Sequence, residues 1–155
     1  MHTEIPTAQQ LTNQVFSITS EKSFEAAALA VFGFQYQHND LYRSYCQLLN
    51  KKTEQVRNIS DIPFLPISFF KSHTVTTTHF EAELLFESSG TTGQQPSRHW
   101  VRSKALYELS FQKGFEASYG HPEDYCIIGL LPSYLERGQS SLVYMVNNLV
   151  EQSKH

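Results

Sequence analysis

The chain has 155 residues, enough for about one domain, with 40% hydrophobic residues, only 17% charged residues and a formal net charge of −3. Eleven Phe and eight Tyr supply large apolar side chains for a core that needs no covalent staples. No run of lysine or arginine occurs and no apolar stretch is long enough for a membrane span, so nucleic acid, an anionic membrane surface and membrane insertion are all excluded as expectations.

The N-terminus, MHTEIPTAQQLTNQ, lacks a basic start followed by an apolar stretch and does not read as a signal peptide, so the expected compartment is the cytoplasm. The first third reads as helical. Ser20 is placed to cap a helix over EKSFEAAALAVF, with Phe24, Ala28, Val31 and Phe32 on one face and Gly33 at its C′ position. Asn39 is placed to cap a second helix, DLYRSYCQLLNKK, whose apolar stripe is Tyr42, Tyr45, Leu48 and Leu49. Cys46 and Cys126 each sit inside an apolar pattern and are expected as two reduced, buried thiols.

In ISDIPFLPISFFKSHTV, Pro63 and Pro66 exclude a helix interior, yet the segment is strongly apolar. It therefore lies against a core or lines a pocket. Val75 to Phe80 is β-branched and alternates like a strand, with Glu83 to Phe86 as its continuation or hairpin partner. SRHWVRS is short and extended. Ser103 is placed to cap a helix from Lys104 to Tyr119 that ends at Gly120 and Pro122, with Tyr107, Phe111, Gly114, Phe115 and Ser118 sharing a face. YCIIGLLP is a continuous apolar run, the pattern of a strand buried on both faces of a parallel sheet, which makes Cys126 an inert mid-strand thiol. A last helix starts near Ser140 and carries Leu142, Met145, Val146 and Leu149. The order of elements is that of an α/β protein.

The stretch SSGTTG, Ser88 to Gly93, sets four hydroxyls and two glycines directly after an apolar run. Glycine turns let backbone N–H groups converge on one point, and Ser and Thr hydroxyls add donors that rotate to fit, so the loop can cradle a polyphosphate. It is not a Walker A loop, because the glycines are too close together and no lysine follows; Arg98 is the candidate for the positive charge. An exposed polar hairpin loop is the alternative reading of the same residues. The histidines give no metal-ligand pattern: His73 and His79 are six residues apart, and His99 and His121 stand alone.

SSGTTGQQP resembles the Ser/Thr/Gly phosphate loop of the adenylate-forming enzymes, which include acyl- and aryl-CoA ligases, luciferases and peptide-synthetase adenylation domains. The blocks DIPFLPISFFKSH, FESSGTTGQQPSRHW and LPSYLERGQSSLVYMV more closely resemble the acyl-protein synthetase (LuxE-like) branch, over about residues 60 to 148. The resemblance implies the N-terminal portion of an adenylate-forming large domain, with helices packed on a mostly parallel sheet. On that reading residues 1–155 form one domain or fragment, with a helical N-terminal region (1–60) and a phosphate-loop α/β region (61–155).

The resemblance further implies an enzyme that activates a fatty or other carboxylic acid as its acyl-adenylate, with ATP and Mg²⁺, and passes the acyl group to an acceptor such as a partner reductase. Ser88, Ser89, Gly90, Thr91, Thr92, Gly93 and Arg98 would hold the ATP phosphates. Tyr134, Leu135 and Arg137 would lie near the acyl carboxylate. Two departures stand out. Ser97 and Arg98 replace the lysine that follows the loop proline, and Leu135 replaces the histidine of the later turn. Glu136 and Arg137 read equally as an exposed turn pair. The resemblance places the catalytic lysine region and the acyl-accepting cysteine beyond this chain, so no catalytic residue is assigned and the chain alone is expected to turn over poorly. A fragment of a phenylacetate-CoA ligase-like enzyme and a non-catalytic nucleotide- or acyl-binding module are the alternative readings.

Overall fold

A computed structural model describes residues 6–88, 95–131 and 139–154. They divide into two compact units. One comprises residues up to Ile67 together with Val75–His79; the other comprises Ser68–Thr74 and the chain from Phe80 onward.

The first unit is built on three helices, α1 (Ala8–Phe16), α2 (Glu21–His38) and α3 (Asp40–Leu48). Each starts where a side chain accepts from an otherwise unpaired backbone N–H. Thr7 and Gln10 cap each other reciprocally at α1, and Ser20 and Ser23 do the same at α2. Asn39 is buried and serves two helices. Its N–H donates to Gln35 O to close α2, and its side-chain oxygen accepts from Tyr42 N at 3.0 Å to open α3. The helix does not stop at Gly33, as the sequence pattern predicted; it runs five residues further to His38. Phe32 and Tyr36 pack in one cluster, their rings 6.0 Å apart. That burial outweighs the roughly 1 kcal/mol cost of an interior glycine.

Phe32, Tyr42, Cys46 and Val56 form this core, with Leu29, Tyr36, Tyr45, Ile62 and Leu65 packed against it. Leu48 and Leu49, expected on the buried stripe of α3, are exposed, and Cys46 takes that place at 0% exposure. Phe24 of α2 is likewise exposed, while Ala27 is buried. The proline-broken segment lies against this core: Ile62 and Leu65 pack on it, and Tyr42 Oη donates to Pro63 O at 2.6 Å. Val75 to Phe80 is not a strand. Thr78 adopts φ 69, which no extended chain allows, and its N–H donates to His38 O at 2.9 Å rather than to a neighbouring strand.

Burial pushes the Cys46 thiol above its ordinary value, whereas Cys126 is exposed, contrary to the expectation of a buried mid-strand residue. A thiolate is needed for attack on a disulfide reagent. The folded protein is therefore expected to release one equivalent of chromophore rapidly from an aromatic disulfide reagent, with the second appearing only in denaturant. Cys126→Ser should abolish the fast phase, and Cys46→Ser should leave it intact.

The second unit holds a two-stranded antiparallel sheet, β1 (Leu84–Glu87) and β2 (Arg98–Val101), followed by α5 (Lys104–Tyr119) and α6 (Ser141–Gln152); a single turn, α4 (Phe69–Ser72), precedes the hairpin. Phe86 is buried among the rings of Tyr107 and Tyr144, at 4.9 and 5.7 Å. Ser103 caps α5 as predicted, and the Glu83 carboxylate accepts from Lys104 N at 2.7 Å, placing negative charge where the helix dipole favours it. Gly120, at φ 89, ends α5, and Ser140 caps α6.

The two helices meet along a polar seam. Glu108 accepts from Tyr144 Oη at 2.6 Å and from Asn148 Nδ2, and Asn148 Oδ1 accepts from Gln112 and Gln152. These residues recur every four positions on both helices, so the seam fixes their register.

The sheet differs from the mostly parallel one expected: among the described residues it is this antiparallel pair alone. Residues 125–131 of YCIIGLLP, those described, supply no strand to it. A continuous apolar run signals burial only where a ladder partner exists, and here Ile128 is 81% and Leu130 96% exposed. Gly129 lies so close to α6 that a Cβ there would meet Val146 Cγ1 at 2.8 Å. No helix among the described residues is long and apolar enough to cross a membrane.

Candidate functional site

The hydroxyl-glycine stretch, Ser88 to Gly93, falls in sequence between the paired strands β1 and β2. The register pairs Leu84 with Val101, Leu85 with Trp100, Phe86 with His99 and Glu87 with Arg98. Pairing continues one step past the strands: Ser88 N donates to Ser97 O at 3.0 Å, and Ser97 N donates to Ser88 Oγ at 2.9 Å. Ser97 Oγ also donates to Ser88 Oγ, at 3.1 Å. Ser88 Oγ is thus an acceptor twice over, and its own proton has no partner among the described residues. These bonds close the neck of the loop. Ser89, Gly90, Thr91, Thr92 and Gly93 lie outside the described residues, as do Tyr134, Leu135 and Arg137.

At the same neck Arg98 Nε donates to Glu87 Oε1 at 3.0 Å. The backbone N–H of Glu87 donates to Gln139 O at 2.9 Å. Gln139 is the first described residue after 132–138 and follows the LPSYLERG stretch in sequence. The structure therefore brings together Ser88, Ser97 and Arg98, which the sequence singled out, with Glu87 and Gln139, which it did not. Glu87 was findable in principle: once 84–87 and 98–101 are read as a hairpin, it stands opposite Arg98. Gln139 carried no such signal.

His99 follows Arg98 on β2 and lies near Phe70, ring centroids 6.3 Å apart. Desolvation lowers its pKa below the ordinary histidine value although part of the side chain stays exposed. Protonation then costs more in the folded than in the unfolded chain. The His99 contribution to stability is full above about pH 6.5 and is lost as pH falls from there through the lower folded value. Urea midpoints at neutral and mildly acidic pH should show a decline in the wild type that is smaller in His99→Gln.

Among the described residues no group of three or more His, Cys, Asp or Glu lies together to hold a metal ion. An opening of about 580 Å³ in the first unit, lined by residues that include Tyr36, Gln47, Asn50 and Lys51, contains none of the residues singled out for phosphate or carboxylate.

Comparison with known proteins gives this geometry its context. The family model of acyl-protein synthetase, LuxE, matches residues 13–107, more than half of the chain. This chain belongs to the LuxE acyl-protein synthetase family. The matched span includes the end of α1, all of α2 and α3, and both strands with the stretch between them, so the N-terminal helices carry family character that their sequence alone did not reveal. It stops before the LPSYLERG stretch.

The chain is 33% identical over 99 residues to a long-chain-fatty-acid–luciferin-component ligase of Photorhabdus luminescens, covering 58% of this chain and 84% of that protein. It is 36% identical over 84 residues to the protein of the same name in Vibrio harveyi, covering 53% of this chain but only 22% of that one. No solved structure matches the chain.

Proposed function

We propose that this LuxE-family chain contributes the phosphate-binding part of an ATP-dependent acyl-protein synthetase, which activates a long-chain fatty acid as its acyl-adenylate and passes the acyl group to a protein acceptor such as a reductase. The observation that carries the reading is the family match across the paired strands that flank Ser88 to Gly93 in sequence, where Glu87 N–H also donates to Gln139 O. The names of both relatives support a fatty acid as substrate.

The chemistry requires two negative groups, a carboxylate and an α-phosphate, to be held close. Backbone amides and hydroxyls of Ser88, Ser89, Gly90, Thr91, Thr92 and Gly93 would take the β- and γ-phosphates, with Arg98 beside them, so that pyrophosphate leaves from a stabilised position. Mg²⁺ supplies charge neutralisation when bound. It would enter with ATP and be held through the phosphates. Tyr134, Leu135 and Arg137 would lie near the acyl carboxylate. The cytoplasm, where Cys46 and Cys126 stay reduced, is the proposed place of work.

The test is fatty-acid-dependent exchange of labelled pyrophosphate into ATP, run on a synthetase of the Vibrio harveyi relative's length that carries this sequence. Exchange with long-chain fatty acids is the expected result, and in a parallel run a labelled fatty acid should end on a protein rather than on coenzyme A. Failure of every carboxylic acid to support exchange overturns the reading. The 84 aligned residues cover 22% of that relative's length, and this chain alone is expected to turn over poorly or not at all.

A further inference from the structure

Glu87 has no role in the reading above, yet it occupies the centre of the neck. Its backbone N–H is bonded to Gln139 O at 2.9 Å, its carboxylate takes Arg98 Nε at 3.0 Å, and the next residue, Ser88, closes the loop on Ser97. We infer that Glu87 is a positioning residue, a fixed acceptor that aims the Arg98 guanidinium at the polyphosphate of the nucleotide. The inference rests on the proposed phosphate role of Ser88 to Gly93.

Three observations support it. First, the bond to Glu87 uses Nε only, and the two terminal nitrogens of Arg98 hold no partner among the described residues. Those nitrogens carry four of the five guanidinium donors, in the geometry that suits two phosphate oxygens. Secondly, the carboxylate is the anchored end of the pair: its side chain is 25% exposed against 49% for the arginine. A pair serving only as a surface bridge contributes little, and it gives no reason for the acidic partner to be the one also tied through its backbone to Gln139. Thirdly, the ion pair neutralises Glu87. A bare carboxylate next to a polyphosphate would repel it; bound to Nε, the same carboxylate fixes the plane of the donor fork.

The consequence is a specific dependence. An arginine free to rotate still carries its charge but loses orientation, so removing Glu87 should weaken phosphate binding through Arg98 alone. A residue with a purely structural part in the neck would weaken binding whether or not Arg98 is present.

Calorimetric titration of this chain with inorganic pyrophosphate in magnesium chloride, and with Mg–ATP, separates these cases. Arg98→Ala should raise Kd about ten-fold or more, the effect expected for lost hydrogen bonds to a charged group. Glu87→Ala should raise it about three-fold or more, and Glu87→Gln, which keeps the acceptor oxygen, should stay within about two-fold. Glu87→Ala in the Arg98→Ala background should add nothing. An additive loss in the double variant, with a lowered melting temperature, overturns the positioning role and leaves the phosphate reading standing. So does wild-type affinity in Glu87→Ala, whereas wild-type affinity in Arg98→Ala takes Arg98 out of the phosphate site and overturns the positioning role with it. Absence of any binding of either probe by the wild type removes the phosphate reading itself, and the positioning role with it.

Discussion

Phe86→Ala is expected to destabilise the second unit by about 3–5 kcal/mol, the range for an aromatic side chain removed from a core. Phe86 is buried on β1 with its ring against Tyr107 and Tyr144, and Tyr107 in turn meets Phe111 and Tyr144 at 5.5 and 5.9 Å. The residue thus joins the hairpin to both long helices, and none of its neighbours can fill the gap without leaving another ring. A loss of this size is a large share of the roughly 5–15 kcal/mol that holds a domain together. Urea unfolding followed by tyrosine fluorescence should show the midpoint drop. The control is Leu130→Ser, which removes a larger apolar group than most surface changes do but from a site 96% exposed, and should move stability by no more than about 0.5 kcal/mol. Because Glu87 and Ser88 follow Phe86 directly, Phe86→Ala should also weaken pyrophosphate binding, and binding should recover partly in a stabilising osmolyte if the loss is one of folding alone.

What could be read in advance follows the range of the forces concerned. Helix starts were legible because a cap is a bond between residues three apart: Ser20, Asn39, Ser103 and Ser140 all accept from the backbone where predicted. The stop at Gly120 was legible because a left-handed φ favours glycine. The stop expected at Gly33 failed because Phe32 and Tyr36 enter a tertiary cluster that no local rule contains. The phase of two helical faces slipped for the same reason. Phe24 and Leu48 match the apolar period, but small or polarisable Ala27 and Cys46 are what the core admits.

The strand expected at Val75 to Phe80 was lost to one residue, Thr78, whose left-handed backbone has no signature in a run of threonines. At the site, the hydroxyls and glycines of the loop stood out because composition alone marks them. Glu87 and Gln139 did not, because their importance lies in whom they face across the hairpin and across the chain.

Tyr42 offers a two-step test of the first unit's core. Its ring stands edge-on to Phe32 at 6.2 Å and 85°, and its hydroxyl donates to Pro63 O at 2.6 Å. Tyr42→Ala removes ring and hydroxyl together and is expected to cost about 3–5 kcal/mol. Tyr42→Phe keeps the ring but strands the Pro63 carbonyl, for about 1–2 kcal/mol. If packing and the hydrogen bond act on the same structure, the phenylalanine variant should keep the helices while loosening the proline-broken segment. Faster amide exchange at Ile62, whose N–H is held only by Ile59 O among its backbone bonds, is the local readout.

Alkaline titration separates the hydroxyl a second way. Burial first, then the neighbouring Cys46, raises the Tyr42 pKa well above the ordinary tyrosine value. The phenol therefore supports the fold below about pH 10, and that support drains away as pH rises beyond it. Wild type should lose stability steeply in that range, and Tyr42→Phe, weaker at neutral pH, should lose less, so that the two midpoints converge as the solution becomes more alkaline. Parallel curves would place the hydroxyl in contact with water and assign the whole effect of Tyr42→Ala to its ring.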